Sequence, residues 1–195
     1  MPIPKGGDRS NPSNYRPISL LSVVSKMLER HVHHLLIQHL ASDHPLANFQ
    51  WGYESGGKNT VCAQLATTYD WFQELESGKV VCSVFFDKRK AFDTVPHREL
   101  IEKLSQLDVS PFVLRWIRNY LTDRHQKVVL GGDDSNTIPV ISSAPQGSVL
   151  GPLLFLIYID DVIRIPLSVG SKLVLYAIVQ KDWPPWGLHN VAKGH

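Results

Sequence analysis

The chain has 195 residues, 43% of them hydrophobic and 19% charged, with a formal net charge of +2 at pH 7. That apolar content suits one core or two small lobes and excludes general disorder, while the near-neutral balance neither requires nor forbids a polyanionic partner. The longest apolar stretch, 149–159, falls far short of the roughly 20 residues of a membrane-spanning helix and is closed by Asp160-Asp161, so no membrane segment is expected.

Residues 1–18, rich in Pro, Gly, Ser and Asn, should run as an extended, turn-containing arm up to Arg16-Pro17. Leu20, Leu21, Val24, Leu28, Val32, Leu35, Leu36 and Leu40 then recur at three- and four-residue steps, which predicts a helix over about 19–41 with these residues on one face. His31, His33, His34, His39 and His44 share this region, but no carboxylate or cysteine matches their spacing, so partly exposed helix histidines are expected rather than a metal cluster. A loop over 42–58 follows. Asn59 can cap a second helix whose Val61, Leu65, Tyr69, Phe72 and Leu75 share a face before Gly78 stops it. Within the loop, Gly52-Tyr53-Glu54-Ser55-Gly56-Gly57-Lys58-Asn59 stops one residue short of a phosphate-binding loop: Asn59 stands where Ser or Thr is needed, and no strong strand precedes it.

Residues 79–86 form a nearly continuous apolar run suited to a central strand. Cys62 and Cys82 occupy apolar surroundings without partners at ligand spacing, so they read as buried thiols in a reducing compartment, with no disulfide-linked partner. Pro96 and Pro111 fit the first turns of two further helices. Asp93 and Thr94, just ahead of Pro96, can satisfy backbone N–H groups at that helix start, so Asp93 reads as structural. Alternation between His125 and Ser142 around Gly131-Gly132-Asp133-Asp134 predicts a β-hairpin. A short apolar helix from Val149 and a strand over 172–177 complete an α/β or α+β order. From Ile178 the apolar period ends in a segment with Pro184-Pro185 and two of the five tryptophans, the kind of junction that a frameshift, a retained intron or a premature end of the reading frame produces.

Two positions stand out chemically. Asp87 closes the apolar run ahead of Lys88-Arg89-Lys90, where its carboxylate can hold a metal ion or merely cap a turn. Gln146-Gly147 lies in a loop leading into the Val149 helix, where glycine lets backbone approach a nucleotide and the amide can bond its sugar or template partner.

Three motifs in order, Asn14-Tyr15-Arg16-Pro17-Ile18-Ser19-Leu20-Leu21, then Phe86-Asp87 through Ala91-Phe92-Asp93, then Ala144-Pro145-Gln146-Gly147-Ser148, closely resemble those of reverse transcriptases from non-LTR, LINE-like retrotransposons. The resemblance covers about residues 1–177. It implies a right-hand polymerase with fingers over 1–78 and a partial palm over 79–177, the thumb missing and 178–195 an aberrant, disordered tail. It also implies RNA-directed DNA synthesis by a two-metal route with Mg²⁺, an RNA template, a DNA primer and deoxynucleoside triphosphates as partners, and a nuclear or cytoplasmic location. Asp87 would then be catalytic and a metal ligand. Arg16, with Lys5 as a second candidate, would reach the incoming triphosphate, unless it is only an exposed arginine in a flexible arm. Phe92 would lie under the sugar and reject a 2′ hydroxyl, with core packing as the alternative. Gln146 and Gly147 would contact the nucleotide.

The third palm motif departs from the family. Where relatives read Tyr/Phe-Ala-Asp-Asp, this chain has Tyr176-Ala177-Ile178-Val179. Ser143-Ala144 also replaces a more usual Gly-Val, and Lys88 stands where an apolar residue is commoner. Tyr158-Ile159-Asp160-Asp161 imitates the missing motif but comes before the strand that the catalytic pair should follow, so metal binding is not expected there. Nothing neutral replaces two carboxylates in metal-assisted phosphoryl transfer, so this copy is expected to be inactive. The alternatives are a non-catalytic nucleic-acid-binding module, resting on the arm and the Lys88-Arg89-Lys90 turn, and an unfolded pseudogene product.

Overall fold

A computed structural model describes residues 2–4, 6–42, 60–86, 88, 90–168 and 170–174. The chain divides into two units, one of Met1–Asn48 with Cys82–Leu173 and one of Phe49–Val81 with Val174–His195. Helix and sheet are mixed, as the sequence predicts.

In the first unit the arm is more ordered than composition implies. Strand β1 (Pro2–Pro4) pairs antiparallel with β2 (Tyr15–Pro17), with Ile3 opposite Arg16. The turn between them is tied by Asp8, whose carboxylate accepts from the Ser10 backbone N–H at 2.9 Å and the Ser10 hydroxyl at 2.7 Å, and by the Asn14 amide, which donates to the Asp8 carbonyl at 2.8 Å. Arg16 is thus half-buried in a paired strand and not carried on a flexible arm.

Helix α1 (Val23–Ser42) follows, and the C-terminal part of its predicted face is turned inward. Glu29, Val32, Leu36 and Leu40 are buried, whereas Leu20, Val24 and Leu28 are exposed. Val32, Leu36 and Leu40 are thus buried as the pattern predicts, the N-terminal part of that face is open, and a glutamate opens the buried stripe. Helices α3 (His97–Gln106), α4 (Pro111–Leu121) and α5 (Gly151–Ile159) complete the core, with α3 packed on both α4 and α5. Val113, Ile117 and Leu121 line the inner side of α4 at four-residue steps, as an amphipathic helix requires. In α5 all of Leu153, Leu154, Phe155, Leu156 and Ile157 are buried, the condition a helix apolar on every side needs. Pro111 takes the first turn of α4, as predicted, while Pro96 stands one residue before the first turn of α3, at its N-cap. Thr94 does not cap α3: its hydroxyl donates back to the Ala91 carbonyl at 3.2 Å, because the chain turns at 90–94 before the helix begins.

The predicted hairpin is present as two nested pairs. Strand β3 (His125–Gln126) pairs with β6 (Ile138–Pro139), and β4 (Val129–Leu130) pairs with β5 (Asp133–Asp134). Gly131 and Gly132 both have positive φ, 64° and 99°, which a two-residue hairpin loop of this kind demands.

The central strand predicted for 79–86 is not formed. Residues 79–86 are outside any strand, with Val80, Val84, Phe85 and Phe86 exposed. An apolar run becomes a buried strand only when neighbours supply ladder partners on both sides. Among the described residues no strand forms a ladder with this run, and residues 172–174 of the predicted last strand carry no strand assignment either. Cys82 is accordingly exposed and Cys62 half-buried, which corrects the expectation of two buried thiols; neither enters a disulfide.

In the second unit, α2 (Thr60–Glu76) ends as predicted at Gly78. With φ of 75°, Gly78 donates to the Leu75 carbonyl at 3.0 Å, and Lys79 donates to Glu74 at 3.1 Å, the paired bonds that close a helix through a left-handed glycine. Val61, Leu65, Tyr69, Phe72 and Leu75 share the predicted face, which is exposed. No helix among the described residues is long and apolar enough to cross a membrane.

Candidate functional site

Three stretches distant in sequence meet within the first unit. Residues 92–97 lie beside 142–144: the Ala144 N–H donates to Phe92 O at 2.8 Å, Ser143 N–H to Val95 O at 3.0 Å, and the Ser142 hydroxyl to Asp93 O at 2.9 Å. The Phe92 ring stacks on Phe155 of α5 with centroids 4.5 Å apart and planes 24° from parallel. Phe92 is half-buried, so one side of it packs while the other keeps some access.

The loop 145–150 then hangs between the arm and α1. Ser19 N–H donates to the Gln146 carbonyl at 2.8 Å. Gly147 has φ of 100°, and a Cβ there would lie 2.9 Å from Ser19 O and 3.0 Å from Ile18 Cγ2, so both its conformation and the approach of the arm demand glycine. The Ser148 hydroxyl donates to Pro145 O at 2.8 Å and accepts from Gly151 N–H at 2.8 Å, holding the turn just ahead of α5. Glu29, fully buried, completes the frame from α1: one carboxylate oxygen accepts from Val149 N–H at 2.7 Å and Leu150 N–H at 3.3 Å, and the other from the Ser25 hydroxyl at 3.1 Å.

Of the residues predicted from sequence, Arg16, Phe92, Gln146 and Gly147 belong to this connected assembly, Arg16 through β2 and the Ile18-Ser19 segment that follows it. Asp87 lies outside the described residues, as do Lys5, residues 52–59 and residues 176–179. Glu29, Ser148 and Tyr120 were not predicted. A glutamate in step with Val32, Leu36 and Leu40 on an apolar helix face was the available signal for the first. The Tyr120 hydroxyl is buried against Ser148 without reaching hydrogen-bond geometry, and burial, with the Glu29 carboxylate adding to it, pushes its pKa up. His97 Nε2 donates to the Ser143 carbonyl at 3.0 Å; burial, reinforced by Arg124, holds its pKa below the usual histidine value although that carbonyl pulls the other way.

Asp160 and Asp161 sit in a 3-10 turn after α5 and face basic partners, Arg164 at 3.7 Å and Lys103 at 2.6 Å respectively. Lys88 also finds its place here. Its ammonium lies 5.2 Å from the centroid of the Tyr158 ring, with Lys103 at 4.8 Å, so a charge standing where an apolar side chain is commoner is accommodated on an aromatic face. Among the described residues no three His, Cys, Asp or Glu side chains come together as a metal site.

Residues 3–177 match the reverse transcriptase (RNA-dependent DNA polymerase) family. The chain belongs to this family. Relatives of this reverse transcriptase domain include the probable RNA-directed DNA polymerase from transposon BS of Drosophila melanogaster, 35% identical over 158 residues, which cover 80% of this chain and 17% of the relative. The probable RNA-directed DNA polymerase from transposon X-element of the same fly is 32% identical over 176 residues, 87% of this chain and 18% of the relative. The Pol polyprotein from type-1 retrotransposable element R2 of Popillia japonica is 32% identical over 162 residues, 83% and 22%. The domain is therefore of the LINE-like kind and spans about a fifth of the length of these relatives. Reverse transcriptases generally use Mg²⁺, but the described residues of this one do not by themselves furnish a site for it.

Ser143, read from the sequence as replacing a more usual Gly, carries a strained backbone. Its φ of 151° belongs to a region that side chains other than glycine rarely adopt. Relief of strain worth about 1–3 kcal/mol, less the roughly 0.5–1 kcal/mol entropy cost of glycine, gives an expected gain of about 1 kcal/mol for Ser143→Gly. Urea denaturation of the two proteins checks it; a loss of stability would mean that the serine side chain supplies more than the strain costs.

Proposed function

We propose that this chain is the fingers (1–78) and palm (79–177) portion of an RNA-directed DNA polymerase domain that holds an RNA template, a DNA primer and a deoxynucleoside triphosphate but joins no nucleotides. The observation that carries the first half is the hydrogen bond from Ser19 to Gln146, which fixes the strand bearing Arg16 to the Gln146-Gly147 loop. Arg16, with its permanent charge and planar fork, is suited to the triphosphate. Gln146 offers an amide that both donates and accepts, and Gly147, which carries no side chain, lets the arm pack against the loop so that the loop's pose is fixed. Phe92, backed by Phe155, cannot retreat from a sugar lying over it without unstacking that pair.

The second half rests on composition. Asp87 is the single carboxylate that the sequence motifs provide for Mg²⁺, because Ile178 and Val179 stand where the family carries two aspartates. Two neutral branched side chains cannot share a divalent ion, and metal-assisted phosphoryl transfer depends on that shared charge.

The test uses the full chain with a primed RNA template, deoxynucleoside triphosphates and Mg²⁺. The expected result is retention of the hybrid that weakens steeply with salt, as phosphate contacts require, and no primer extension above an Asp87→Ala control. Extension that Asp87→Ala abolishes would refute inactivity, and no retention at low salt would refute the binding role.

A further inference from the structure

We infer that Glu29 is the positioning residue of the Gln146-Gly147 loop, setting its pose from α1 through the N-terminal amides of α5. This deepens the nucleotide-binding reading above and rests on it. Two attachments outside the loop stand out among the described residues. At Gln146 it is held by Ser19 N–H, and just beyond Ser148 it is held by Glu29, which takes the N–H groups of both Val149 and Leu150. Ser19 lies four residues ahead of α1 and Glu29 in its second turn, so a short continuous stretch of chain holds both ends of the segment that would face the nucleotide.

The chemistry favours this over simple packing. A fully buried glutamate is costly unless its oxygens are satisfied, and here its acceptors meet two backbone N–H groups and one hydroxyl. Among the described residues no lysine or arginine forms an ion pair with it, so its compensation comes from the amides at the positive end of α5. An apolar residue of equal volume would fill the space and leave Val149 and Leu150 without acceptors. Glutamine would not: its oxygen can face α5 while its amide donates to the Ser25 hydroxyl.

The experiment compares Glu29→Met with Glu29→Gln in the full chain by residue-resolved amide hydrogen exchange. In Glu29→Met the Val149 and Leu150 amides should exchange roughly tenfold to a hundredfold faster, with much smaller changes at Leu104 and Ile117, and Glu29→Gln should restore them to within a few-fold. Uniform acceleration through α3, α4 and α5, with no rescue by Gln, would overturn the inference. If Glu29→Met does not fold, Ser25→Ala takes its place; it should speed exchange at Val149 and Leu150 selectively, and no change there would count against the proposal.

The functional arm measures how far a templated deoxynucleoside triphosphate strengthens retention of an RNA–DNA hybrid. That strengthening should vanish in Glu29→Met and persist in Glu29→Gln, while hybrid retention without nucleotide changes less than about twofold. Persistence in Glu29→Met overturns the positioning role. A wild-type protein with no nucleotide effect but the expected exchange pattern sinks the nucleotide reading and leaves Glu29 as the residue that sets the loop.

Discussion

Gly151→Ala is expected to destabilise the protein by about 2–3 kcal/mol, although residue preference alone predicts the opposite. Gly151 is the first residue of α5, and its backbone is not in the left-handed region. Alanine inside a helix is better than glycine by about 1 kcal/mol, so an exposed site of this kind would gain stability. Here a Cβ would stand 2.4 Å from the Pro145 carbonyl oxygen and 2.8 Å from Ser148 Oγ. The first neighbour is backbone, which cannot swing aside, and the second already bonds to Pro145 O and Gly151 N–H. Relieving the clash means moving α5 away from the loop. Equilibrium urea unfolding reads the sign directly, and a stabilised Gly151→Ala would mean that the turn 145–151 is wider than described.

Leu154→Ala should cost about 2–5 kcal/mol, the range for a leucine removed from a closed core. Leu154 is 0% exposed, in the middle of a helix whose other apolar residues are buried around it, so the space left cannot drain to solvent. Leu28→Ala, in α1, is the contrasting case. That side chain is 53% exposed, and its truncation should change stability by no more than about 0.5 kcal/mol. Denaturation midpoints at unchanged m-value separate the two, and equal losses would show that the exposed face of α1 is covered in solution.

What could be read from the sequence was what depends on near neighbours. The Gly131-Gly132 turn, the Gly78 helix stop and Pro111 at the start of α4 each follow from the backbone freedom of one or two residues, and each is found. The motif residues Arg16, Phe92, Gln146 and Gly147 were singled out by resemblance, and the structure brings them into one connected assembly, their roles being those proposed above. What failed were statements that need a distant partner. The run 79–86 has the composition of a central strand but no ladder beside it among the described residues. The leucine pattern of α1 gave the right helix and, at Val32, Leu36 and Leu40, the right face; it missed Glu29, which is held inward by two amides far along the chain that no local period reveals. Ser19 meeting Gln146 is equally invisible to periodicity.

The Glu29 carboxylate and the Val149 amide are separated by 120 residues of chain. At about 5–20 residues per second of synthesis, α1 therefore leaves the ribosome roughly 6–24 s before the groups that neutralise its inward glutamate exist. Contacts this far apart in sequence are also the slowest to close, since most of the chain must be ordered before they form. The Gln146-Gly147 loop is thus a late assembly step of its unit, and its yield in a cell will depend on how long the nascent α1 can wait, half-solvated, for the second half of the domain.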